Sequence, residues 1–220
     1  MTETVGIIGG TGPLGKGLAA RFALAGVRVT IGSRRTERAE EAAAEVRSWL
    51  DDGGASVSSA PNLEACDADV VILSVPFEAL EAALEPLRDA LSGRIVVSAL
   101  NPLGFDDDGP FAIPVPEGSA AVACAQLLPD ARVVAAFHSV SSHQLAQLDE
   151  LIEEDVPVFG DDDDAVAEVA ALTERIDALR AVPAGALRLA GPVEGLTAVI
   201  IAINRRHKSH VGLRFSRLRR

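Results

Sequence analysis

An apolar strand, a glycine-rich turn and a helix follow one another directly near the start of this sequence. Val5-Gly6-Ile7-Ile8 is a short apolar run that reads as a buried strand. Gly10-Thr11-Gly12-Pro13-Leu14-Gly15 comes next, and apolar residues then recur at helical spacing (Leu14, Leu18, Phe22) as far as Gly26, a helix stop. A G-x-G-x-x-G pattern alone says little. Between a strand and a helix it is the fingerprint of a dinucleotide-binding turn. Gly10 allows the tight turn, Gly12 lets the backbone approach a pyrophosphate, and Gly15 lets the helix pack on the strand. Thr11, Pro13 and Leu14 complete a turn whose helix N-terminus offers free N–H groups and partial positive charge to phosphate. The plainer alternative is a glycine-rich turn with no ligand.

The rest of the chain repeats the same alternation. Val27 to Ile31 reads as a strand and Thr36 to Leu50 as a helix. Asp51-Asp52-Gly53-Gly54 reads as a turn, Ala68 to Val75 as a strand, Phe77 to Leu91 as a helix and Arg94 to Ala99 as a strand. Strands alternating with helices predict an α/β fold, a doubly wound and mostly parallel sheet covered on both faces. Asn101 to Pro116 reads as a long loop, of a length that is commonly functional. Ser119 is placed to cap a helix to about Leu128. Arg132 to Phe137 and Asp155 to Gly160 are further strands, Ala181 to Ala184 is extended, and Leu187 to Asn204 is a helix. The run Asp161-Asp162-Asp163-Asp164 fits the N-terminus of a helix reaching about Leu179; a metal site would need ligands converging from elsewhere.

The end of the second strand selects the cofactor. An NAD site places Asp or Glu there, to bond the ribose 2′-hydroxyl. This chain has Gly32-Ser33-Arg34-Arg35, with Arg38 one helical turn after Arg34. A hydroxyl and three guanidinium groups suit the dianionic 2′-phosphate of NADP. The alternative, a solvated first helical turn, leaves arginines opposing the helix dipole.

Charge and cysteine content exclude several classes. The formal net charge is −12, which argues against nucleic acid or an anionic membrane as partner. Only Lys16 and Lys208 are lysines, a skew that also suits a high-salt cytoplasm. Residues 205–220 carry seven cations and no acid, a segment that is either solvated or an anion site. Two cysteines, Cys66 and Cys124, provide neither a disulfide framework nor a zinc cluster, and each reads as a small core residue. Met1-Thr2-Glu3-Thr4 leads straight into a strand, so no signal peptide is expected. No purely apolar stretch approaches 18 residues, so no membrane span is expected and a cytoplasmic location is. No metal site is indicated.

The ordered set of motifs is similar to the F420-dependent NADP oxidoreductases. The residues that carry the resemblance are Gly9-Gly10-Thr11-Gly12-x-Leu14-Gly15-Lys16-Gly17-Leu18, Gly32-Ser33-Arg34-Arg35, Val75-Pro76 and Val96-Val97-Ser98. They continue through Ala136-Phe137-His138, Asp155-Val156-Pro157-Val158 with Gly160-Asp161-Asp162, and Gly212-Leu213-Arg214-Phe215. The resemblance implies a Rossmann domain over residues 1–160, a small, mainly helical C-terminal domain over 161–220, a cleft between them, and a homodimer. It implies hydride transfer between nicotinamide C4 of NADP and deazaflavin C5 of coenzyme F420. It also implies that Thr11, Ser33, Arg34 and Arg38 hold NADP phosphates, that Val75 and Pro76 border the nicotinamide, and that His138 sits near the deazaflavin.

Hydride transfer between two carriers needs positioning rather than a side-chain nucleophile, and none stands out. His138 ends an apolar strand at the sheet's carboxyl edge, where ligands bind. It could position the ring, supply the accompanying proton, or be a histidine satisfied by backbone. Two other readings stay open: an NADP-dependent reductase of another small substrate, such as a pyrroline carboxylate, and a non-catalytic NADP sensor.

Overall fold

The computed structural model describes residues 2–50 and 56–218. The turn expected at 51–54 and the last two arginines lie outside them. Within them the strand-helix alternation builds one sheet. β1 (Thr4–Ile8), α1 (Pro13–Leu24), β2 (Arg28–Ser33), α2 (Thr36–Ser48), β3 (Val57–Pro61), α3 (Asn62–Ala65) and β4 (Val70–Leu73) form the first part. α4 (Leu80–Leu84), α5 (Arg88–Leu91) and β5 (Ile95–Ser98) follow, then a hairpin of β6 (Leu103–Asp106) and β7 (Gly109–Ala112). α6 (Ala120–Leu127), β8 (Arg132–Ala135), α7 (Ser142–Ala146), β9 (Asp155–Gly160), α8 (Asp163–Thr173), β10 (Arg180–Gly185) and α9 (Gly191–His207) complete the chain.

The strand order is β10-β9-β8-β5-β4-β1-β2-β3, parallel except between β8 and β9. From β3 to β8 this is the Rossmann order, with the chain reversing direction of travel between β1 and β4. Alternate residues of β1 face opposite layers: Ile7 joins a core with Leu18, Phe22 and Val46, and Ile8 joins one with Leu73, Leu84 and Val96. Both isoleucines are fully buried. The ligand crevice of such a sheet opens at the carboxyl ends of β1 and β4.

Several expectations are corrected. The strand Val57–Pro61 was not anticipated: its sequence, Val-Ser-Ser-Ala-Pro, has little apolar content because it forms the sheet's edge. The expected loop 101–116 contains the β6–β7 hairpin, turned at Asp106, whose Oδ1 accepts the N–H groups of Asp108 and Gly109. The expected helix 77–91 is a chain of short helical turns, broken where Pro86 lacks an N–H. The helix after the Asp run stops at Thr173. Its start is as expected: Asp162 caps it by accepting from the Ala165 N–H at 2.8 Å. Asp161 accepts instead from the Leu187 N–H. β10 pairs with β9, so residues on both sides of 160/161 contribute strands to one sheet. Residues 161–185 therefore belong with the sheet, and the part outside it is 187–218 together with the hairpin.

Arg21 ties α1 to the segment after β8. It is 6% exposed, and its guanidinium donates to the carbonyls of Gln144, Leu145, Gln147 and Glu150. α7 lies so close to α1 that a Cβ on Gly17 would stand 2.6 Å from Leu145 Cβ.

Candidate active site

The first cleft has a volume of about 810 Å³ and opens where the sheet order reverses. Thr11, Gly12, Pro13 and Leu14 line it from the turn after β1; Val75 and Pro76 line it from the end of β4. The Gly10 N–H folds the turn back by donating to the Ile7 and Gly32 carbonyls. Gly15 packs on that turn, and a Cβ there would lie 2.6 Å from Gly10 Cα. Gly12 is different: a Cβ on it would meet no atom within 4 Å. No protein atom crowds this position, so the backbone there is open to close approach by a pyrophosphate. Gly12 is also the N-cap of α1, with no side-chain cap on that helix and no acid in its first turn. The first N–H groups are thus left for an anion.

Ser33, Arg34, Arg35 and Arg38 line the far end of the same cleft. The Arg35 N–H donates to Ser33 Oγ at 3.2 Å. All three arginines are exposed, and none forms an ion pair among the described residues. Three unpaired guanidinium groups converging on one cleft fit a phosphate ester. Asn62 also lines this cleft, and its buried Oδ1 has no hydrogen-bond partner. Sequence reasoning missed it because α3 was not anticipated; its position just after Pro61, at the carboxyl edge of a strand, was the available signal. An orphaned acceptor, an open turn and unpaired arginines together fit NADP.

A second cleft, of about 640 Å³, adjoins the first. Leu14 and Asn101 line both. Its other walls come from the segment after β8, from α9 (Thr197, Ile201) and from Lys208, Ser209 and His210. His138 lies here, but its ring is only 1% exposed and neither ring nitrogen has a partner. Burial pushes its pKa down to about 4, so the ring is neutral at pH 7. The His138 carbonyl, not its ring, is held: Asn101 Nδ2 and Thr197 Oγ1 each donate to it at 2.9 Å. Asn101 Oδ1 lies 3.2 Å from the same Thr197 hydroxyl, whose one proton is shared between the two acceptors. Phe137, just before it, is buried at a φ of 67°, a left-handed conformation that a bulky residue adopts only under constraint.

Glu194 stands beside His138, with Oε1 3.9 Å from Nε2. It is fully buried and accepts the N–H groups of Ala120 and Ala121 at the start of α6, at 2.8 and 3.1 Å. Burial raises its pKa, opposed by those two hydrogen bonds. Sequence reasoning missed Glu194, Thr197 and Asn101, whose roles depend on α9 meeting the carboxyl edge of the sheet.

Cys66 and Cys124 are buried, and burial pushes their thiols up to about 11 and 12, so neither is a nucleophile at neutral pH. Among the described residues no group of three or more His, Cys, Asp or Glu converges as a metal site.

Comparison with known proteins agrees with this geometry. Residues 4–102 match the family described as NADP oxidoreductase coenzyme F420-dependent. The F420-dependent NADP reductase of Methanothermobacter thermautotrophicus is 37% identical, over 99% of this chain and 97% of its own length. That of Methanocaldococcus jannaschii is 36% identical, over 97% and 98%. Among solved structures, an Arthrobacter sp. FB24 protein provisionally assigned as an F420-dependent NADP-reductase superposes with a TM-score of 0.82. It is 25% identical and covers 99% of this chain and all of its own. A pyrroline-5-carboxylate reductase from Coxiella burnetii shares only the fold, at 16% identity and a TM-score of 0.57 over 94% of this chain and 70% of its own. Full-length similarity at this level, on a chain whose two clefts meet at the sheet's switch point, makes it a member of the F420-dependent NADP reductase family.

Proposed function

We propose that this protein transfers a hydride between NADP(H) and the deazaflavin coenzyme F420. The observation that carries the reading is the pair of adjoining clefts, one ending in Ser33 and three unpaired arginines, the other walled by α9. Bound nicotinamide supplies or accepts the hydride at C4, and the deazaflavin does so at C5. The protein's part is to hold the two rings in contact and exclude water. Gly10, Thr11, Gly12, Pro13, Leu14 and Gly15 form the pyrophosphate cradle. Ser33, Arg34, Arg35 and Arg38 hold the 2′-phosphate. Val75 and Pro76 border the nicotinamide, and Leu14 and Asn101 stand where the rings meet.

His138 acts by position rather than as proton donor. With its pKa pushed down to about 4 the buried ring is neutral at pH 7, and the N–H of a neutral imidazole is too weak an acid to protonate a ligand. Its clamped carbonyl fixes the wall that the deazaflavin faces. Arg205 and Lys208 on the rim of the second cleft would attract an acidic ligand against the repulsion of an acidic body. Residues 187–218, with the hairpin, form the small unit that closes this cleft. The test is NADPH oxidation with F420 as acceptor, set against a pyrroline carboxylate: turnover with F420 alone supports the reading, and turnover with the pyrroline alone contradicts it.

The protein also pairs with a second copy. Phe105 and Phe111 on the hairpin and Val199 and Ile203 on α9 are exposed, and β7 packs on α9. Residues 187–207 are long and apolar enough to cross a membrane by length and composition. In this reading, however, the exposed apolar face meets the same face of a partner in a cytoplasmic homodimer. Val199→Asp with Ile203→Asp should halve the mass measured by light scattering. A wild-type protein already monomeric at micromolar concentration would contradict the dimer.

A further inference from the structure

The chain does not leave the body after α9. Lys208 turns out of the helix with a left-handed φ of 49°, and residues 209–218 run back as a strap over 153–155. Near the helix, Asn204 holds the strap: its carbonyl accepts from Ser209 N–H and its Oδ1 from Val211 N–H. Further along, the Asp155 N–H donates to the Leu213 carbonyl at 2.8 Å, and the Phe215 N–H donates to Asp155 Oδ2. Arg180 donates to both Asp155 carboxylate oxygens and to the carbonyls of Phe215 and Leu218. The near end of the strap, Lys208 to His210, is a wall of the second cleft, and the His210 ring stacks on His143 with centroids 3.8 Å apart.

One group beneath the strap is unaccounted for. Glu154 is buried, and neither carboxylate oxygen has a hydrogen-bond partner. Gly212 lies directly on it: a Cβ there would come within 1.9 Å of Glu154 Cδ. The neighbouring charges are engaged elsewhere. Asp155 pairs with Arg180, Glu153 with Arg214, and His210 stacks on His143. No cation among the described residues pairs with Glu154. An unpaired buried carboxylate is costly, and the neutral acid is far less so.

We propose that Glu154 is a positioning residue for the F420 cleft: as the neutral acid it lets Gly212 and the strap lie closed, and as a carboxylate it draws water and lifts the strap from the cleft wall. The link to F420 rests on the reading of that cleft given above. Burial pushes Glu154 up to about 7, against 4.5 for the group in water. The closed strap is therefore favoured in full below 4.5. That advantage falls about tenfold per pH unit from there to about 7 and changes no further above. His143 and His210, stacked on each other, are the other titratable groups against this end of the strap. That stack is unchanged in a Glu154 variant, so the difference between the two proteins isolates Glu154.

Amide hydrogen exchange of residues 209–218 in the full-length protein, from pH 5 to 8 and corrected for intrinsic rates, tests the device. Protection in the wild type should fall on the order of a hundredfold between pH 5 and 7.5 relative to Glu154→Gln, which keeps a neutral group at every pH. Identical profiles would overturn the proposal. Gly212→Ala supplies an independent arm: a folded variant with an unprotected strap at every pH supports it, and retained protection overturns it. The KM for F420 should rise over the same window while the KM for NADPH stays flat. A strap that opens with pH while the F420 KM does not move would leave the latch standing and remove F420 from the cleft beside it.

Discussion

Replacing Arg34 and Arg38 together by alanine should raise the KM for NADPH by roughly a hundredfold or more while leaving that for NADH within about threefold. Each guanidinium that bonds a phosphate contributes about 1.5–3 kcal/mol, and 1.4 kcal/mol is a factor of ten. The two side chains are exposed and form no ion pair among the described residues, so their removal leaves no buried group unsatisfied there. Stability should change by no more than about 0.5 kcal/mol. The selectivity for NADPH should therefore collapse without loss of fold. Parallel steady-state kinetics with the two cofactors, together with a melting curve, check this. Equal losses for NADPH and NADH would mean that the arginines do not meet the 2′-phosphate.

The second large effect separates two glycines of one motif. Gly12→Thr should leave the melting temperature unchanged or slightly higher, because threonine serves as well as glycine at an N-cap and the position has open space around it. Its hydroxyl would take up the N–H groups that a pyrophosphate needs, and its methyl would fill the cradle. NADPH affinity should fall by roughly a hundredfold, about the loss of two hydrogen bonds to a charged group. Gly15→Val should do the reverse damage. Its Cβ meets Gly10 backbone at 2.6 Å, and pushing α1 off the turn should cost about 2–3 kcal/mol. At this size that is a drop of about 5–10 °C in Tm. Titration of NADPH into each variant beside its melting curve distinguishes them. A Gly12→Thr protein that still binds NADPH tightly would show that the turn is not the phosphate cradle.

The lining of the first cleft was legible because its constraints are local. A strand, three glycines and a helix start lie within some fifteen residues, and the cations after β2 follow at a fixed offset from them. The lining of the second cleft was less so, because its residues come from elements far apart in sequence. Asn101 follows β5, His138 follows β8 and Thr197 lies on α9, yet all three share one pair of donors and one carbonyl. His138 could be picked out as a sheet-edge residue, but sequence carries no sign that its ring would be sealed beside Glu194. Elements with weak patterns were also lost. β3 is an edge strand with two serines that bond polar groups of β2 and α2, and β6–β7 is a four-residue pairing disguised by Gly104, Gly109 and Pro110. The strap anchored by Asp155 and Arg180 left two traces in sequence, a run of cations that suggested an anion site or a solvated tail, and the motif Gly212-Leu213-Arg214-Phe215, neither of which shows what the segment packs on.

The central claim is that the two clefts bring nicotinamide and deazaflavin into direct contact. NADPH deuterated at the transferable C4 position, mixed with F420 and catalytic protein, tests it most directly, with F420 absorbance followed and the product examined by mass and NMR. Loss of absorbance over many turnovers and deuterium at C5 of the reduced deazaflavin are the expected results. Tight NADPH binding without turnover, or reduced F420 carrying solvent hydrogen at C5, would contradict it.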